Sequence, residues 1–125
     1  MRAMLLVAAM ALLAGCATSE EPSSGIFGTV LYGPVCPVEQ DPPEPGCEDR
    51  PYRAHLEVAT AEGGRTVKEF ESDADGTFRV AVAPGAYLIR SPSDSSAPPS
   101  CASEGFVVAE GRYTEVAVQC DSGIR

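Results

Sequence analysis

Past residue 25 the apolar side chains come in short runs at every second position, broken by Gly, Pro, Asp and Ser. A period of two is the mark of a strand with one buried face, because successive side chains leave a strand on opposite sides. Seven such runs predict strands at residues 26–32, 54–60, 66–72, 77–83, 86–91, 105–109 and 113–120. In the second run Ala54, Leu56 and Val58 form the expected inner face, with His55, Glu57 and Ala59 outward. In the fourth, Phe78, Val80 and Val82 face inward; in the last, Val116 and Val118 do, leaving Glu115 and Ala117 outside. Pro and Gly interrupt every candidate helical period beyond the first 15 residues. The pattern predicts an all-β fold, an antiparallel β-sandwich of about seven strands.

Turn chemistry sharpens this. Glu62-Gly63-Gly64-Arg65, Asp75-Gly76 and Glu110-Gly111-Arg112 read as tight hairpins, and Ala83-Pro84-Gly85-Ala86 as a type II turn with glycine where positive φ is needed. Short connections of this kind predict antiparallel neighbours. Two stretches do not read as strands: residues 33–53, with Pro34, Pro37, Pro42, Pro43, Pro45 and Pro51, and residues 92–104, rich in Ser and Pro. Long loops in a small domain are usually functional or disordered.

The first residues differ from all this. One positive charge at Arg2 precedes an unbroken apolar run over residues 4–13, then small residues and Cys16. The run is too short for a membrane span, which takes roughly 20 apolar residues, and has the shape of a secretion signal. Leu13-Ala14-Gly15-Cys16 resembles the lipobox of bacterial lipoproteins. That resemblance implies cleavage before Cys16, acylation of its thiol with chains such as palmitate, and attachment to a membrane surface. Residues 1–15 are then the signal peptide, residues 16–24 a lipidated cysteine and flexible tether, and residues 25–125 one domain. Ala17 stands where many Gram-negative lipoproteins retained at the inner membrane carry aspartate, so the resemblance implies the outer membrane in such a host.

An exported location permits disulfides, and four cysteines remain: Cys36, Cys47, Cys101 and Cys120. They allow three pairings. Cys36–Cys47 and Cys101–Cys120 are favoured, because each pair is near in sequence and brackets a loop-like stretch; closing about 15 residues stabilises by about 3 kcal/mol in the chain-entropy model. The formal charge is −9, with no cluster of Lys or Arg past the signal. Such a chain has no basic face for phosphates, so nucleic acid is excluded as a partner, and anionic lipid repels it.

Gly25-Ile26-Phe27-Gly28-Thr29-Val30, then Asp73-Ala74-Asp75-Gly76-Thr77-Phe78, then Pro84-Gly85-Ala86-Tyr87 together resemble the transthyretin-like, carboxypeptidase-regulatory-like (prealbumin-like) domains. The match runs in order through residues 25–119, interrupted by the proline-rich insertion. It implies a β-sandwich used as an accessory stalk, spacer or docking module.

Candidate chemistry is sparse. Asp73-Ala74-Asp75-Gly76 suggests a calcium loop, but the twelfth position counted from Glu71 is Val82 where a bidentate glutamate is needed. His55 is the only histidine, without HxH or HExxH spacing, and no serine sits in Gly-x-Ser-x-Gly. The cysteines lack the Cys-x-x-Cys spacing of zinc sites. Lys68, the single lysine, invites an isopeptide bond to an Asp, against the simpler solvent-facing reading. No cofactor, metal or catalytic residue is expected. The best binding candidate is the loop bracketed by Cys36 and Cys47, with Glu39, Asp41 and Glu44 on it and Tyr32 and Tyr52 flanking it. The expectation is a non-catalytic, lipid-anchored envelope module that contacts proteins; the alternative is a glycan-binding module using the same loop and tyrosines.

Overall fold

β-Branched and aromatic residues at alternate positions form nine strands, and the described residues contain no helix. The computed structural model describes residues 23–37, 41–42 and 44–124. In chain order the strands are β1 (Gly25–Gly33), β2 (Arg50–Pro51), β3 (His55–Thr60), β4 (Thr66–Glu71), β5 (Thr77–Ala81), β6 (Gly85–Arg90), β7 (Ser100–Ala102), β8 (Phe106–Val108) and β9 (Tyr113–Asp121). The lipobox, the signal peptide and most of the tether lie outside the described residues.

The strands make one mixed sheet curled into a half-barrel, in the order β2-β1-β9-β7-β6-β3-β4, with β5 also beside β1 and β8 beside β6. The expectation of a purely antiparallel fold is corrected. β1 and β9 run parallel in nine rows, from Gly25 opposite Tyr113 to Gly33 opposite Asp121. Alternation reports which face is buried and carries nothing about strand direction, so a parallel pair joining the two ends of the domain leaves no local signal. Gly28 allows this pairing: a Cβ there would overlap the Val116 carbonyl oxygen.

Only one of the expected hairpins joins bonded neighbours. β3 and β4 pair antiparallel across the 62–65 turn, where Gly63 and Gly64 both hold positive φ. Thr60 locks that turn, its hydroxyl donating to Glu62 O at 2.6 Å and accepting from the Arg65 N–H at 3.0 Å. The short links at 75–76, 83–86 and 110–112 instead carry the chain to a strand that is not its ladder partner: β4 pairs only with β3, β5 only with β1, and β8 with β6. Nor is residue 83–86 a type II turn. Gly85 has φ 158°, almost fully extended, and opens β6, while the Tyr87 hydroxyl donates to Ala83 O at 2.7 Å and holds the bend.

Two strands arise inside stretches read as loops. β2 takes two rows beside Leu31 and Tyr32, and β7 is stapled to β9 by a disulfide at the directly opposed residues Cys101 and Cys120. The core is the concave filling of the half-barrel: Ile26, Val30, Leu56, Val58, Ile89 and Val108 are essentially sealed from solvent. Burying each such side chain contributes about 1.5–3 kcal/mol. Phe78, Val80, Val82, Val116 and Val118 join them, as the alternation predicts. β3 departs from it: Glu57 and Ala59 are buried too. Their face is turned from the core, but the Arg90 side chain, Thr66 and the 62–65 turn close over it.

Candidate functional site

Because β1 and β9 are parallel, both deliver their C-terminal ends to one pole. There the Ser122 N–H donates to Gly33 O at 2.9 Å and its hydroxyl to Pro34 O at 2.7 Å, binding the chain after β9 to the start of the proline-rich loop. The Cys36–Cys47 disulfide, with Cα atoms 5.4 Å apart, closes that loop. Within it the Cys47 N–H donates to Glu44 O at 2.9 Å, and Arg50 reaches Gly46 O at 3.4 Å. Asp41 and Glu44 are exposed on the loop; Glu39 lies outside the described residues.

Beside the loop is an open depression of about 570 Å³ lined by Gly33, Pro34, Pro37, Asp49, Gln119 and Asp121. The Asp49 carboxylate rests on the bare Cα of Gly33, in the space a Cβ would take, and accepts from Gln119 Nε2 at 3.0 Å. Asp121 Oδ1 accepts the Gly123 N–H at 2.9 Å. No motif marks Asp49 or Gln119; they meet Asp121, at the chain's last segment, because β9 runs parallel to β1.

Tyr32 and Tyr52 sit beneath this pole. Their ring centroids are 5.0 Å apart, and both pack against the core cluster, half-buried. Tyr52 is fixed by its backbone, its N–H donating to Val30 O at 3.1 Å and its carbonyl accepting from the Ser72 hydroxyl at 2.9 Å. The rings therefore face each other rather than forming an open row.

The other candidates resolve into structural roles. Asp75 Oδ1 accepts both the Thr77 N–H at 3.0 Å and the Thr77 hydroxyl at 2.6 Å; these bonds hold its carboxyl below the usual aspartate range and occupy it with shaping the turn. Lys68 donates to Ala81 O at 3.2 Å and makes no ion pair among the described residues, so no aspartate stands ready for an isopeptide bond. His55 is exposed at the start of β3, opposite Glu71, on the rim of a small hollow of about 250 Å³ with Tyr52, Arg53 and Ser91. Among the described residues no three His, Cys, Asp or Glu side chains are grouped to hold a metal ion.

Among the described residues the one buried carboxylate is Glu57, which accepts from the Thr66 hydroxyl at 2.8 Å and from Arg90 Nε at 3.2 Å. The Thr66 bond, then the Arg90 guanidinium and a backbone N–H near Ser93, hold its carboxyl below the usual glutamate range against the opposing effect of burial. A β-bulge at Val58/Ala59 turns Thr66 to this side of the sheet. The group ties three segments together. No protein-family model matches the chain, and no curated protein matches it.

Proposed function

We propose that this protein is a non-catalytic, lipid-anchored module of a bacterial cell envelope, with a transthyretin-like sandwich that meets protein partners through the Cys36–Cys47 pole. The observation that carries the reading is the placement of that loop. β1 begins next to residue 24, where the tether would arrive, and ends nine residues later at the loop, so an anchor at Cys16 leaves the loop facing away from the membrane. Prolines and a disulfide pre-organise the loop, which lowers the entropy lost on binding. The exposed carboxylates of Asp41, Glu44 and Asp49 fit a polar protein surface. The pairing of Tyr32 with Tyr52 weighs against the glycan alternative, since sugar sites present open aromatic faces.

The test is mass spectrometry of protein purified from its native membrane, intact and after reduction, joined to site-specific photo-crosslinking. The reading expects acyl mass on Cys16, four thiols released only by reductant, and adducts from a crosslinker at position 41 but not at 110. A soluble chain without acyl mass, or adducts independent of position, overturns it.

A further inference from the structure

β4 is the last strand of the sheet, and nothing among the described residues pairs with its outer edge. The Ser72 N–H donates to Ala54 O at 3.0 Å, so at 72, 70 and 68 the backbone turns toward β3. In an antiparallel ladder the alternate residues, Glu69 and Glu71, then turn their N–H and C=O groups outward. The edge is held from its inner side: the Phe70 and Phe78 rings lie 5.2 Å apart, and Lys68 donates to Ala81 O of β5. Every other β4 residue is exposed, Val67 by 40%. A preset edge of this kind adds a strand without first paying to order itself.

Charge selects the occupant. Glu69 and Glu71 stand in one row on the outer face; Arg53 lies 3.7 Å from Glu71 and is more than half exposed, and Arg90 on the same face is already engaged by Glu57, the residue opposite Glu69. A second copy pairing antiparallel through β4 would set these carboxylates opposite their equals, and like charges directly opposed are destabilising. Inward-pointing Lys68 and the β-bulge likewise discourage self-pairing.

We propose that the open edge of β4 takes an extended segment of another polypeptide by strand addition, one with Lys or Arg at alternate positions opposite Glu69 and Glu71. This surface is separate from the Cys36–Cys47 pole, so either can fail without the other.

The probe is a capped peptide of alternating lysine and valine, added to the full chain and followed by fluorescence polarisation and amide hydrogen exchange. The expected result is saturable binding with exchange at Glu69 and Glu71 slowed at least about tenfold, and a lysine–proline peptide of equal charge binding at least about tenfold more weakly. Reversing both charges (E69K with E71K) is expected to abolish binding of this peptide and to admit an alternating glutamate–valine peptide. Glu69→Pro, which removes one outward N–H, is expected to abolish binding of both and serves if the double variant fails to fold. Equal binding of the lysine–proline peptide, unchanged exchange at 69 and 71, indifference to these substitutions, or a wild-type dimer joined through β4 each overturns the proposal.

Discussion

At the scale of single residues the most informative side chain is Glu57. Its place in an alternating strand predicts exposure, yet it is 4% exposed and bound by Thr66 and Arg90. Alternation assigns it to the right face; what it cannot register is that a bulge and an arginine 33 positions away would cover that face. Because its folded-state pKa lies below the unfolded one, the stabilisation is present above the ordinary glutamate value of 4.5 and is lost as pH falls through the folded value. Glu57→Gln should cost about 1–3 kcal/mol at pH 7. It should also flatten the fall in Tm between about pH 5 and pH 3, measured by thermal melts of variant and wild type across that range. Gly28 makes the complementary point: its conformation is ordinary, and what it supplies is space for the Val116 carbonyl. Gly28→Ala is expected to lower stability by more than about 2 kcal/mol, since a backbone neighbour in a nine-row ladder has little room to give. Urea unfolding measures it.

At the scale of elements, what the sequence made legible was local. The seven runs all became strands with ends shifted by a residue or two, and the two favoured disulfide pairs formed. β2 and β7 were not legible, because a two- or three-residue strand has too few positions to show a period; partner edges create them. Connectivity was missed for a related reason. Asp75-Gly76 and Glu110-Gly111-Arg112 have hairpin chemistry, but the residues of a turn do not say whether the next strand pairs with the last or crosses to another partner. The two staples differ accordingly. Cys101–Cys120 ties β7 to β9 with both cysteines buried, at 4% and 0% exposed, whereas Cys36 and Cys47 are half-buried at the pole. Replacing Cys101 and Cys120 together by Ala should cost about 2–5 kcal/mol. The matching change at Cys36 and Cys47 should cost less and leave amide exchange of the Ile26, Val58 and Ile89 core unchanged, since these two cysteines are only half-buried and close a shorter stretch of chain. Paired denaturation curves and exchange profiles separate the two.

At the scale of the whole molecule, the parallel run of β1 and β9 gives the domain two unlike ends. The 110–112 turn sits at the start of β1, where the Gly25 N–H reaches Arg112 O at 3.4 Å; the disulfide loop, Asp49 and Asp121 gather at the other. A nine-residue strand at about 3.3 Å per residue separates those ends by about 30 Å. With Cys16 acylated as proposed, the short acidic stretch before Ser23 brings the first end toward the bilayer, and the formal charge, −9 for the full sequence and −10 once Arg2 leaves with the signal, keeps the rest from lying down on anionic lipid. The two effects act together, the tether fixing which end is near and the charge holding the long axis upright. In vesicles containing anionic lipid and a quencher-bearing headgroup, a fluorophore at position 110 should therefore be quenched several-fold more than one at position 44. The contrast should shrink as salt rises and screens the repulsion. Equal quenching at both positions at low salt would mean that the domain lies flat, which would bring the Cys36–Cys47 loop back to the membrane and leave the partner-facing pole without a physical basis.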